Sequence, residues 1–332
     1  MQCNFYLDHG ADVLYYGMTM NEQPSPKPDA VLSTIHHAEA EQRRGKLTIF
    51  LGMCAGAGKT YAMVKVARHR KNDGVNVAIA VVETHGREET EVVLDGLPLI
   101  PLRPIEYRGG IAMEMDLDAV LQRKPHLVLV DELAHINAPG SRHPKRYQDA
   151  LELLDAGIDV YTTLNVQDIE SCVDVIRRIT GVAAHDTVPD SILDRADNVQ
   201  LVDLTTEELR QRLTAGKVHA GTIPAMDAAN FFREDNLTAL REMALRITAE
   251  HVNRNLQDAM AIRQIAGPSN TNVKLMVAVW PSPFSEELIR WTRRAASALG
   301  APWVAVYVES DVSLSEEEKT RLVKTLSMAR QL

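Results

Sequence analysis

Residues 47–60, LTIFLGMCAGAGKT, constrain the fold more than any other stretch: an apolar run breaks into glycines and closes on Gly58, Lys59 and Thr60. The run reads as a buried strand, and residues 61–71 behind it carry Met63, Val66 and Ala67 at helical spacing. Strand, glycine-rich turn and helix in that order form a loop whose backbone N–H groups turn inward on phosphate oxygens. The lysine of such a loop neutralises phosphate charge and the hydroxyl ligates Mg2+. Gly52, Gly56, Ala57, Gly58, Lys59 and Thr60 are thus the candidate ATP-binding residues of a Walker A motif. The usual spacing puts its first glycine at Met53, so Gly52 arrives one residue early.

A second run, residues 127–130, is wholly apolar and ends in Asp131 and Glu132, which reads as a buried parallel strand with Walker B acids at its carboxyl edge. Asp131 joins Thr60 as a candidate Mg2+ ligand, and Glu132 is the candidate group for activating water. Ligands in parallel sheets sit beyond the carboxyl ends of the strands. That directs attention to Glu83, Thr84, His85, Gly86 and Arg87, to His135, and to Asn165 and Gln167. Asn165 reads either as a sensor of the terminal phosphate or as a turn-capping side chain. The loop at residues 137–146, NAPGSRHPKR, is basic and barred from helix by its prolines. Arg142 and Arg146 are its candidate phosphate cations, and a solvated basic loop is the alternative.

The chain has 332 residues, 45% hydrophobic and 24% charged, enough for more than one domain core. It contains no apolar run of a length that crosses a bilayer and no secretory signal at its start, so a cytoplasmic location is expected. Its three cysteines lack paired spacing and its eleven histidines lack metal-ligand spacing. A net charge of −9 argues against nucleic acid as a partner.

Residues 1–42 are polar and proline-rich in part and read as a flexible leader. From residue 45 to 252, apolar strands alternate with helical stretches, which predicts an α/β domain of P-loop NTPase type: a parallel sheet with helices on both faces. Strands are expected at 47–51, 77–82, 127–130, 159–164 and 199–204, and a capped helix at 205–215. One or two long amphipathic helices over 237–265 would bury Leu240, Ala244, Ile247, Val252, Leu256 and Met260, with a helical linker at 253–272. Residues 273–332 then read as strand, helix, strand, helix, an incomplete second α/β domain. Two strands leave apolar surface uncovered, so this tail is expected to keep Trp280, Trp291 and Trp303 accessible, to be cut near residues 267–272 and to pair as a homodimer.

The runs at 45–63, 81–87, 131–146, 157–167 and 202–218, the last reading VDLTTEELRQRLTAGKV, resemble the N-terminal cytoplasmic region of the bacterial KdpD potassium sensor histidine kinases. The family loop shares the early glycine. The tail is similar to the universal-stress-protein-type domain that follows in that family, a cyclic di-AMP receptor in some members. The segments that recognise that ligand fall beyond Leu332, and it is not carried over. The resemblance implies a module that binds ATP with Mg2+ and tunes the kinase and phosphatase output of a two-component potassium and osmotic-stress sensor. Its implied partners are the rest of the sensor kinase, its response regulator and the potassium-transport system. The full-length family protein lies in the inner membrane with this region on the cytoplasmic side. Phosphotransfer belongs to a kinase core not expected in these residues, with slow ATPase activity at most. A self-standing ATPase or phosphotransferase, or a scaffold with a vestigial loop, are the alternatives.

Overall fold

The computed structural model describes residues 44–107, 109–182, 186–218, 225–262, 273–308 and 314–332. The expected leader and residues 263–272 lie outside them. Five strands form one parallel sheet: β1 (Leu47–Gly52), β2 (Val77–Val81), β5 (Leu127–Val130), β6 (Asp159–Asn165) and β7 (Asn198–Leu201), in the order β2-β5-β6-β1-β7. The α/β fold with helices around a parallel sheet is as the sequence predicts.

Side-chain alternation in these strands explains why both faces are covered. Leu47, Ile49 and Leu51 of β1 enter one hydrophobic cluster with Val128 and Val130, while Phe50 enters a second with Leu127 and Leu129. Helix α1 (Lys59–Asn72) closes the second cluster through Met63, Val64 and Ala67. The first is closed by α4 (Arg146–Asp155) through Ala150, Leu153 and Leu154, and by the long α9 (Glu234–Ile262) through Leu237, Leu240 and Ala244. Between β1 and α9 the remaining helices are α2 (Glu88–Leu94), α3 (Leu117–Arg123), α5 (Val173–Thr180), α6 (Ser191–Asp194), α7 (Thr206–Thr214) and α8 (Ala225–Phe231).

Two features depart from the sequence reading. An antiparallel hairpin, β3 (Arg103–Tyr107) and β4 (Gly110–Glu114), is inserted before α3. Its residues are largely exposed and include Pro104, so no buried periodicity announces it. Secondly, α9 does not bury the whole expected stripe: Val252 and Leu256 are 59% and 57% exposed, because the helix runs past the core after Ile247, and His251 turns inward instead. The side chain of Met260 lies outside the described residues. The helix passes residue 252 without a break.

The tail has the expected order: β8 (Leu275–Ala278), α10 (Ser285–Leu299), β9 (Trp303–Val306) and α11 (Glu316–Gln331). β8 and β9 pair in parallel over a small core of Val277, Val279, Ile289 and Leu322. Trp280 and Trp291 are exposed and Trp303 is half-buried. Arginines on α10 hold the tail to the first domain. Arg290 donates to Glu170 at 3.0 Å and to Asp174 at 3.2 Å, Arg293 donates to Asp194 at 2.8 Å, and Arg294 donates to the carbonyl of Ser171.

Candidate functional site

The loop between β1 and α1 takes its shape from its glycines. Gly56 and Gly58 have φ of +85° and +94°, a left-handed backbone that a β-carbon disfavours. Gly58 is the N-cap of α1, and no side chain caps that end. The first N–H groups of this long helix therefore face the loop without a side-chain partner, the arrangement that attracts an anion.

Lys59 opens the helix and is nearly buried, its Nζ donating to the carbonyl of Cys54 at 2.9 Å. Burial pushes the Lys59 ammonium below its usual range, while the charges of Asp168, Asp131 and Glu132 oppose that shift. Burial also pushes the Cys54 thiol up to about 12, so it stays neutral and unreactive. The early glycine now has a reason. A β-carbon on Gly52 would lie 3.0 Å from both Cγ and Cδ of Lys59 and 3.2 Å from the β-carbon of Ala57, so the lysine stem occupies the space that Gly52 leaves.

Asp131 is fully buried at the end of β5. Thr163 Oγ1 donates to its carboxylate at 2.5 Å, Thr60 Oγ1 at 3.4 Å, the Glu132 N–H at 3.1 Å and the Glu83 N–H at 3.2 Å. Burial raises the Asp131 pKa, the Glu132 charge adds to the rise, and the hydrogen bonds from Thr163, Glu83 and Thr60 oppose it. Thr60 and Asp131 thus converge as the oxygen pair a divalent cation needs beside a phosphate chain. Among the described residues no group of three or more His, Cys, Asp or Glu could hold a metal alone, so phosphate and water would complete its shell. The residues present fit Mg2+ on those terms.

Glu132 has a positive φ of 54° and the facing His85 one of 49°, and His85 Nε2 lies 3.3 Å from Glu132 Oε1. Two non-glycine residues held in a sparsely populated conformation, side by side at a sheet edge, mark stored backbone strain. Glu132 is half-exposed, free to face a substrate, whereas Asp131 is not.

Because β6 lies between β5 and β1, Asn165 stands in register with Gly52. Its Nδ2 donates to Asp168 at 2.7 Å, and its Oδ1 is buried with no partner among the described residues. Burial raises Asp168 to about 6, against the pull of the Asn165 hydrogen bond and of Lys59. Asp168 and Thr163 were not among the sequence candidates. Thr163 is one of two adjacent buried threonines in β6, and nothing in the sequence distinguishes it from Thr162.

Arg142 and Arg146 do not line the space beside the loop. Arg142 is engaged by Asp118 at 2.6 Å and Glu152 at 2.9 Å. Arg146 is 2% exposed, with Nη1 donating to the Asp131 carbonyl at 3.0 Å and Nη2 3.6 Å from Glu114, so it braces β5 from behind. That space is a cleft of about 770 Å³, walled by Gly56 to Gly58 with Tyr61, by His85 to Arg87 with Glu89 and Thr90, and by Val202 to Leu204, Arg212 and Gly216 to Val218.

Comparison with known proteins assigns the chain to a family. The model of the KdpD osmosensitive K+ channel histidine kinase sensor domain matches residues 43–252. The Sensor protein KdpD of Escherichia coli K12 is 46% identical over 319 residues, covering 94% of this chain and 35% of that protein. The Sensor protein KdpD of Mycobacterium tuberculosis is 44% identical over 290 residues, 87% of this chain and 34% of that one. A relative in Synechocystis is 42% identical over 271 residues, 82% of this chain and 72% of its own length. The chain thus spans about a third of the length of the first two. No helix among the described residues is long and apolar enough to cross a membrane. With the family model matched across the whole loop-bearing sheet and relatives above 40% identity along most of the remainder, the chain belongs to the KdpD family of potassium sensor kinases.

Proposed function

We propose that this chain is the ATP-binding regulatory module of a potassium- and osmotic-stress-sensing histidine kinase, binding ATP with Mg2+ and tuning the output of the kinase toward its response regulator. One observation carries the reading. An uncapped helix N-terminus with Lys59 and Thr60 meets the buried carboxylate of Asp131 beside a cleft of nucleotide size. Lys59 would neutralise the phosphate chain, the N–H groups of the loop would hold its oxygens, and Thr60 with Asp131 would hold the metal. Mg2+ would supply charge neutralisation of the phosphates there.

Isothermal titration of ATP with Mg2+ tests the reading. Lys59→Ala should weaken binding at least tenfold, about 1.4 kcal/mol or more. Equal affinity in wild type and variant would overturn it.

The strained pair of Glu132 and His85 favours a second reading, slow hydrolysis or phosphotransfer at the same site. Glu132→Gln would then abolish turnover and keep affinity. A wild-type protein that binds ATP without turnover removes that reading and leaves the first intact.

A further inference from the structure

The segment VDLTTEELRQRLTAGKV belongs to neither nucleotide motif, yet it packs directly on the loop. Thr205 caps α7 through a box with Glu208, the Glu208 N–H donating to Thr205 Oγ1 at 3.2 Å. That fixed start buries Leu209 completely and aims the next turn at the glycines. A β-carbon on Gly56 would lie 2.6 Å from Val218 Cγ2 and 3.1 Å from Leu209 Cδ1, so the segment touches the bare loop backbone. From this helix Arg212 reaches the loop, its Nη1 donating to the carbonyl of Gly56 at 3.1 Å.

Arg212 is half-buried and lines the cleft. Among the described residues no carboxylate pairs with it, although its neighbours on the segment are paired: Arg210 with Glu234 and Lys217 with Glu89. The carboxylates that sense its charge are held elsewhere, Glu89 by Lys217 at 2.6 Å and Glu208 by Thr205 at 2.7 Å. A guanidinium has five N–H donors in a rigid fork matched to phosphate or carboxylate oxygens. One donor anchors on Gly56, which orients the fork and leaves the others to the cleft.

We propose that Arg212 contacts the phosphate chain of the bound nucleotide, a second cation beside Lys59 that α7 supplies to the loop. The inference rests on the nucleotide reading above. It makes residues 202–218 a wall of the site rather than a distant helix, and it commits the cleft to a ligand with a polyphosphate group.

The test is titration of ATP with Mg2+ into the full chain at several salt concentrations, with Arg212→Met, Arg212→Lys and Lys59→Ala beside wild type, and the thermal midpoint of each protein without nucleotide. Arg212→Met should weaken binding about tenfold or more, since a charge-assisted hydrogen bond is lost. Its affinity should also depend less steeply on salt, because one cation no longer meets phosphate. Arg212→Lys should recover part of the loss. Wild-type affinity in Arg212→Met alongside lost affinity in Lys59→Ala would overturn this inference and leave the nucleotide reading standing. A lowered midpoint with an unchanged salt slope would make Arg212 a brace of the loop and overturn it as well. A wild-type protein that does not bind ATP would overturn both.

Discussion

Gly52→Ala isolates one contact in the loop. No left-handed backbone is involved at this position, so the cost in the folded state is steric. The new β-carbon would stand 3.0 Å from Cγ and Cδ of Lys59, where carbon pairs settle at about 3.5–4.0 Å. The stem must therefore shift by roughly half an ångström or more, and its neighbours Ala57 and Cys54 are themselves buried. Overpacking of this kind costs about 1–3 kcal/mol. The smaller entropy of an unfolded chain with alanine offsets about 0.4–1 kcal/mol of that. The net is about 1 kcal/mol of destabilisation, a fall in thermal midpoint of about 2–4 °C for a domain of this size. The larger effect should fall on ligand binding, because the displaced group is the one that meets phosphate. ATP affinity should drop about tenfold as Nζ leaves its position. Differential scanning calorimetry and ATP titration of the same samples read both numbers. A Gly52→Ala variant with wild-type midpoint and wild-type affinity would refute the claim that Gly52 exists to seat the Lys59 stem.

Asp168 and Arg290 give two further tests. The folded pKa of Asp168, about 6, stands above its ordinary value of 3.8. The native state therefore keeps a proton that the unfolded chain has shed, and stability falls as pH rises from about 4 through 6. The loss is about 2 kcal/mol after allowing for partial exposure, and Asp168→Asn should flatten that slope in urea midpoints across the window. An unchanged slope in the variant would assign the pH dependence elsewhere. Arg290→Ala strips the partner from Glu170 and Asp174, which should detach the tail: proteolysis between α9 and β8 speeds up while ATP affinity holds. Equal cleavage rates would mean that the tail core alone protects that connection.

Strands β2 and β5 were legible because each is buried on both faces and so appears as an unbroken apolar run, while β6 and β7 mix polar residues with their buried ones. The strand order was not. Periodicity reports how deep a strand lies but not which strand lies beside it, and the insertion of β6 between β5 and β1 decides the chemistry of the site. The same limit explains Arg142 and Arg146. A basic loop after two acids reads as a supply of phosphate cations, yet Glu114, from the hairpin that the sequence hid, helps draw Arg146 under the sheet edge. The cation we propose in their place, Arg212, sits on α7 far along the chain, where one of two arginines in a polar helix carries no signal of its target.

The position of β6 also gives one short segment two sets of contacts. At its start, Asn165 stands opposite Gly52 and bonds Asp168, whose charge reaches Lys59. A few residues later, Glu170 and the carbonyl of Ser171 receive Arg290 and Arg294 of the tail. Between these points the backbone runs through two tight 3-10 turns with Val166, Ile169 and Cys172 buried, which leaves little slack. One short, buried turn thus carries both the Asp168 carboxylate, whose charge acts on the loop lysine, and the acceptors of the tail arginines, which fixes their relative placement.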